Sequence, residues 1–345
     1  MNLSIHENGR QGSALCSALN AHGDKNTNEN CQEKGLPYTL EHIPPFIRQR
    51  TLARPVTCTG VGVHSGITVE LSIKPAPSNY GIRFTRCDLP DSPAISAIFN
   101  NVVDTSLATV IGNEGAIVST IEHLMASFVG LSIDNAVVEI SGYEMPIMDG
   151  SAARFTEMIL EAGVQELPTP RSFIVITKDL ELKEGDKYVK ATPHPDFKLS
   201  CTIEFDHPLI KKQTYVFDMS EKTFSEEICM ARTFGFFKDV EMLRRYGLAK
   251  GASLDTGIAI DRESILNEGG LRFDDEFVRH KLLDCLGDFS LLGMPILGHI
   301  ETYKSGHAFN HAFLRELFNR KDCWETRVFE GHEPYNTVES KSLAI

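Results

Sequence analysis

The sequence predicts an α+β protein of two domains, and three observations carry that prediction. Strict apolar alternation occurs in both halves, at Ile67, Val69, Leu71, Ile73 and again at Phe197, Leu199, Cys201, Ile203, Phe205, the two-residue period of half-buried strands. Between these stretches the period changes to that of helices, at Ile121, Leu124, Met125, Phe128, Val129 and at Phe277, Leu282, Leu283, Leu286, Phe289. The segment Leu167 to Arg171 carries Pro168 and Pro170, cannot continue a helix, and reads as a linker between the halves. At ~150 residues per domain, a chain of 345 residues accommodates two.

Residues 1–46 are rich in Asn, Gly, Glu, Ser and His, lack an apolar core of the secretory kind, and read as a disordered leader. The first domain, 47–169, opens with a hairpin whose arms are Val56 to Val63 and Ile67 to Ile73, joined by His64, Ser65 and Gly66. A helix from Ser119 is stopped by Gly130, and a strand follows from Ile133 to Ile140. A loop, Met145 to Gly150, delivers Asp149 ahead of a helix built on Phe155, Met158, Ile159 and Ala162 and ended by Gly163. The second domain, 170–328, begins with strands at Phe173 to Thr177, Leu180 to Leu182 and Phe197 to Phe205. A helix from Ser225 to Arg232 precedes Thr233 and Phe234. The long helix through Phe277 and Phe289 comes next, then a strand from Ile296 to Tyr303, a loop Lys304 to His307, and a helix on Phe309, Phe313, Leu314 and Leu317; residues 329–345 are a tail. Helix, strand, polar loop and helix thus occur twice, and two halves packed about a pseudo-twofold axis bring their polar groups to one cleft.

Composition narrows the function. Hydrophobic residues at 42% and charged residues at 23% exclude collagen-like, disordered and disulfide-scaffold classes for the bulk of the chain. With 34 Lys and Arg against 47 Asp and Glu, the net charge of −13 disfavours nucleic acid or anionic membranes as partners. No apolar run reaches the ~18 to 20 residues of a membrane-spanning helix. The cysteines (Cys16, Cys31, Cys58, Cys87, Cys201, Cys229, Cys285 and Cys323) form no CxxC pair and read as reduced thiols of a cytoplasm.

Several polar residues interrupt the apolar helices. His280 and Asp284 stand one turn apart on one helical face, a spacing that offers two ligands to one cation and that also describes an ordinary exposed i,i+4 pair. Asp288 extends the same stripe into a Leu-rich helix, where an unpartnered carboxylate is costly. Glu122 and His123 are adjacent and therefore diverge by about 100°, so they serve different ends. Glu122 also completes a capping box with Ser119, and His123 alone reads equally as a hydrogen-bonded core histidine. His307 follows Gly306 in a loop. Together, His123, His280 and Asp284 make a three-ligand set that leaves a fourth position for water, with Glu122 as its neighbour, the arrangement of metal-assisted hydrolysis.

The strings TGVGVHSG (Thr59 to Gly66), STIEHLMA (Ser119 to Ala126), DNAVVEISG with PIMDGSA (Asp134 to Ala152), ARTFGF (Ala231 to Phe236), FVRHKLLDCLGD (Phe277 to Asp288) and YKSGHAFN (Tyr303 to Asn310) closely resemble the UDP-3-O-acyl-N-acetylglucosamine deacetylases of lipid A synthesis, from about Arg50 to about Trp324. The resemblance implies a sandwich in which each domain is a sheet layer with helices and the helices pack between the two sheets. It implies Zn²⁺, with Fe²⁺ as an alternative ion in cells, held by His123, His280 and Asp284. Glu122 is then the general base, His307 the electrostatic stabiliser and proton donor oriented by Asp288, with the newly protonated Glu122 as the other source of the leaving amine's proton, and Thr233 an oxyanion donor. Asp149 is implied to fix a metal-bound imidazole. His64, Phe234, Lys281 and Lys304 are implied at the substrate, with the acyl chain in an apolar passage between Phe234 and Ile260. The substrate is an acylated UDP-sugar, the protein a monomer, and the setting a bacterial cytoplasm. A metallo-amidase acting on another acylated sugar, and a non-catalytic zinc protein that binds a nucleotide sugar, are the alternatives; an intact Glu122 and His307 argue against the second.

Overall fold

The structure, a computed structural model, describes residue 44 and residues 46–329. The leader, apart from its last residues, and all but the first residue of the tail lie outside the described residues, as do Cys16 and Cys31. The first half runs β1 (Arg48–Leu52), β2 (Val56–Val61), β3 (Thr68–Pro75), β4 (Ile82–Arg86), β5 (Ala94–Ser96), β6 (Val102–Asp104), β7 (Val110–Asn113), β8 (Ala116–Val118), α1 (Glu122–Gly130), β9 (Ala136–Ile140), α2 (Ala153–Ala162) and β10 (Val164–Pro170). Its main sheet has the order β2-β3-β9-β4-β5, and β6, β7 and β8 form a separate sheet. The alternation read in the sequence faces Val69, Leu71 and Ile73 inward; Ile67 lies outside the strand and is exposed.

The proline-bearing segment after α2 is a strand rather than a linker. β10 continues to Pro170 and pairs antiparallel with β1, Arg48 opposite Pro170 and Leu52 opposite Val164. Proline is tolerated there because a two-stranded ribbon leaves one edge of each strand free of ladder bonds.

The second half runs β11 (Ser172–Ile176), β12 (Leu180–Glu184), β13 (Lys187–Thr192), β14 (Phe197–Glu204), β15 (Lys212–Asp218), β16 (Phe234–Phe236), α3 (Phe237–Arg245), β17 (Ile258–Asp261), β18 (Ser264–Ile265), α4 (Glu276–Phe289), β19 (Ile296–Tyr303), α5 (His307–Asn319) and β20 (Trp324–Val328). Strand β19 is the spine of a seven-stranded sheet, parallel to β11 and β14 and antiparallel to β13. The helix expected from Ser225 to Arg232 ends earlier: Glu221–Thr223 is helical, Phe224–Ile228 is one wide π turn, and residues 231–233 are extended loop.

The layers follow from what each helix touches. Helix α2 packs on β2 and on α1, α1 packs on α4, and α4 lies on β14 and β15 with α5 beside it over β12 and β13. Helices therefore fill the space between the two main sheets, an α+β sandwich, and one apolar cluster runs from Leu71 and Phe84 through Phe128 and Leu283 to Leu199 and Ile300. The repeated order is present as α1-β9-α2 and α4-β19-α5. Helices α1 and α4 approach closely because residue 287 is glycine: a Cβ there would sit 2.1 Å from the Glu122 carbonyl oxygen.

Candidate active site

The α1–α4 crossing brings the predicted ligands together. His123 enters from the first turn of α1, and His280 and Asp284 from successive turns of α4; all three are buried, and their ligand atoms lie within 4.8 Å of one another. Asp284 Oδ1 is 3.3 Å from His280 Nε2 and 3.6 Å from His123 Nε2. The two rings meet edge to face with centroids 5.0 Å apart, so both Nε2 atoms point to one locus. His280 Nδ1 donates to the Ala231 carbonyl at 3.1 Å; a carbonyl only accepts, so that bond leaves Nε2 as the lone-pair nitrogen. Burial pulls His280 down to about 4, against the raising effect of Asp284, and keeps the ring neutral at physiological pH. The other Asp284 oxygen accepts from Lys281 Nζ at 2.6 Å. Burial opposes the charge on both groups; His280 and then Lys281 outweigh it at Asp284 and hold that carboxyl well below the usual carboxylate range, while Asp284 lifts Lys281 to about 12.

The polar groups around this locus come from the same two helices, from Thr109 ahead of β7 and from α5. Glu122 does not cap its helix: α1 begins at Glu122 itself without a side-chain cap, and the Ser119 hydroxyl bonds Thr120 instead. Its carboxylate turns inward, where Oε2 accepts from the Thr109 amide at 3.1 Å and Oε1 faces His307 Nε2 at 3.7 Å. Burial pushes the Glu122 carboxyl above its ordinary range, only partly offset by His307 and His123. His307, the first residue of α5, has Nδ1 2.9 Å from Asp288 Oδ2. Burial disfavours its charge, but Asp288 and then Glu122 outweigh that and raise it to about 10, so the ring is an imidazolium at neutral pH. Asn310, one turn on in α5, donates to the same Asp288 oxygen at 2.8 Å.

The loop before β16 is pinned beside these groups. Thr233 donates its amide to Gly150 at 2.7 Å, and its carbonyl accepts from Ile258, also at 2.7 Å. Glu276, fully buried at the start of α4, accepts from the Arg232 amide and guanidinium and from the Arg272 amide. Phe234 stacks edge-on against Phe277 at 4.9 Å, with the His280 ring centroid 6.4 Å away and Lys281 Nζ 6.0 Å from its own.

One expectation needs correction. Asp149 holds no imidazole: one oxygen accepts from the Ser151 amide and hydroxyl, the other from Arg272 at 2.8 Å. Arg272 also bonds the Met230 carbonyl, so Asp149 anchors the 145–150 loop to the segment before Thr233. The Lys304 ammonium lies 2.7 Å from Asp186 and 3.3 Å from Glu204, both well exposed, and so sits in surface ion pairs outside the buried cluster. His64 has its amide bonded to Glu144 at 2.7 Å, its carbonyl accepting from Lys250 at 3.2 Å and its Nδ1 buried without a partner. Sequence reasoning missed Thr109, Glu276, Gly287 and Asn310; Gly287, inside the FVRHKLLDCLGD string, and Asn310, inside the YKSGHAFN string, stood in motifs that could have drawn notice.

A family model described as UDP-3-O-acyl N-acetylglycosamine deacetylase matches residues 49–319. A protein of Myxococcus xanthus named UDP-3-O-acyl-N-acetylglucosamine deacetylase is 49% identical over 282 residues, covering 82% of this chain and 90% of that relative. Proteins of the same name from Teredinibacter turnerae (48% over 290 residues) and Methylococcus capsulatus (47% over 293 residues) each cover 84% of this chain and are themselves covered to 96%.

Proposed function

The chain belongs to the UDP-3-O-acyl-N-acetylglucosamine deacetylase family, and from that premise we propose that it hydrolyses the N-acetyl group of UDP-3-O-acyl-N-acetylglucosamine to the free amine and acetate in lipid A biosynthesis. The observation that carries the reading is the convergence of His123, His280 and Asp284 beside Glu122 and the Asp288–His307 pair.

The donor set fits zinc. Two imidazoles and one carboxylate are the ligands of an open catalytic site, and the proton on His280 Nδ1, held by Ala231, leaves Nε2 for the ion. Zinc, when bound, lowers the pKa of water and polarises the amide carbonyl. Fe²⁺ has affinity for the same set. Glu122, whose carboxyl burial makes more basic, takes the proton from the attacking water. Cationic His307 stabilises the developing oxyanion with Thr233, and it holds a proton at Nε2 for the departing glucosamine nitrogen.

Recognition is assigned to the surrounding residues. His64, with its unpartnered Nδ1, and Phe234 line the substrate side, while Lys281 and Lys304 supply cations for its polar end. The acyl chain lies against the β16-α3-β17 unit, where Phe236, Val240, Leu243 and Leu248 are only half-buried. Each methylene buried there is worth about 0.8 kcal/mol, so substrate lacking the 3-O-acyl group turns over poorly. Residues 47–169 and 170–328 form the two domains of the sandwich, and the protein acts as a monomer in the cytoplasm. Among the described residues no helix is long and apolar enough to cross a membrane, and the described cysteines are free thiols.

The test is acetate release from UDP-3-O-acyl-N-acetylglucosamine by the purified protein and by Glu122→Ala. The variant is expected to keep its metal and lose roughly 10²- to 10⁴-fold in kcat, the usual worth of a general base. An unchanged kcat would remove Glu122 from the reaction. Turnover that ignores the acyl chain would favour another amidase substrate.

A further inference from the structure

Thr109 sits in no motif, yet it touches both members of the acid–base pair. It precedes β7 in the first half and is 2% exposed. Its amide donates to Glu122 Oε2 at 3.1 Å, which leaves Oε1 as the oxygen that faces His307. Its hydroxyl donates to Asp288 Oδ1 at 2.6 Å and lies 3.3 Å from His307 Nδ1. Its carbonyl accepts from the Thr120 amide at 3.1 Å and the Ile121 amide at 3.4 Å. Thr120 has φ +62, a left-handed conformation that a β-branched residue adopts only when its surroundings impose it. That turn is what directs the Glu122 carboxylate into the cleft instead of back toward Ser119.

We propose that Thr109 is a positioning residue that couples the Glu122 carboxylate to the Asp288–His307 pair across the two halves of the molecule. The proposal rests on the deacetylase reading above. Asp288 Oδ2 is engaged by His307 Nδ1 and Asn310 Nδ2; the Thr109 hydroxyl supplies the donor on Oδ1, and with both oxygens bonded the carboxylate plane is fixed. A fixed plane fixes the imidazole, because the ring is aimed by the bond at Nδ1. Simple packing is the competing role for a buried threonine, and it needs only the shape of the side chain.

Thr109→Val keeps that shape and deletes the hydroxyl; Thr109→Ala deletes it without setting a methyl against Asp288 and serves if the valine variant does not fold. Neither alters the backbone amide bonded to Glu122, so the variants report on the Asp288 arm alone. With UDP-3-O-acyl-N-acetylglucosamine as substrate, hydroxyl deletion is expected to lower kcat roughly ten- to hundredfold, the scale of one lost buried hydrogen bond to a charged group. KM and zinc content are expected to stay unchanged. Thr109→Ser retains the donor and is expected to hold kcat within about threefold of the parent. A residue acting through Asp288 adds nothing once Asp288 is disabled, so Thr109→Val in an Asp288→Asn background is expected to match Asp288→Asn alone. Parental kcat in both deletion variants, equal damage in Thr109→Ser, or multiplicative loss in the double variant would overturn the proposal. Full activity of Asp288→Asn would overturn the proposal alone, and absence of any acetate release by the parent protein would overturn it together with the reading it rests on.

Discussion

Helices α4 and α3 occupy opposite extremes of burial in the same half of the molecule. In α4 every residue from Glu276 to Phe289 is buried except Arg279 and Lys281, while α3 has no buried residue at all. A polar group in α4 has no water to turn to, so each finds a protein partner: His280 has Ala231, Asp284 has Lys281, Asp288 has Thr109, His307 and Asn310. In α3 the apolar side chains Phe237 and Met242 remain in contact with solvent. Burial that enforces pairing yields fixed geometry for polar groups, and incomplete burial leaves apolar surface in contact with water.

Removing the metal breaks the comparison at its strongest point. Chelation is expected to abolish acetate release while the far-UV circular dichroism stays unchanged, because the ligands stand on helices already held by a large apolar core. Added zinc restores activity. His280→Ala lowers metal content measured by elemental analysis, and full occupancy in that variant would exclude the three-ligand site.

The helix crossing itself is the next most sensitive place. In Gly287→Ala the new methyl meets the Glu122 backbone, which cannot rotate away, so the helices must separate. A loss of about 1–3 kcal/mol in unfolding free energy is expected, together with reduced turnover, since His123 and Asp284 move apart with the helices. An unfolding midpoint equal to that of the parent would show that the crossing is loose.

Titration sharpens the contrast further. His307 is raised from its ordinary 6.5 to about 10 in the fold, with burial opposing the shift and Asp288 the chief cause of it. Between these values the folded protein holds a proton that the unfolded chain does not. The contribution to stability is therefore complete below pH 6.5 and is lost as pH rises through about 10. Asp288→Asn is expected to remove much of that alkaline loss, measured as the unfolding midpoint against pH; an identical pH profile would place the proton elsewhere.

The smallest effect belongs to α3. Met242→Ser is expected to change stability by no more than about 0.5 kcal/mol and leave metal content untouched, as for other exposed positions. A larger loss in thermal unfolding would mean that this helix is more deeply packed than its exposure indicates.

The strand periods, the long helices and the repeated helix-strand-loop-helix order were legible because they are local: side-chain alternation and the helical stripe depend on residues a few positions apart. The polar stripe His280, Asp284, Asp288 was legible for the same reason, as a conflict within one helix between burial and charge. Capping at Ser119 failed as an inference because the Thr120 backbone is turned by bonds to Thr109, eleven positions earlier, and not by its neighbours. The linker inference failed because Pro168 and Pro170 forbid a helix but say nothing of a strand partner, and β1 lies far away in the chain. Lys281 and Lys304 are equivalent as letters; only the fold sets one against the buried Asp284 carboxylate and the other among exposed acids. By itself the sequence determined which elements form and which of their faces are apolar, since those follow from short-range periodicity and burial. The tertiary structure alone decided which polar groups meet, because a hydrogen bond such as that from Thr109 to Asp288, 179 positions apart, depends on how two halves pack and leaves no periodic trace in either.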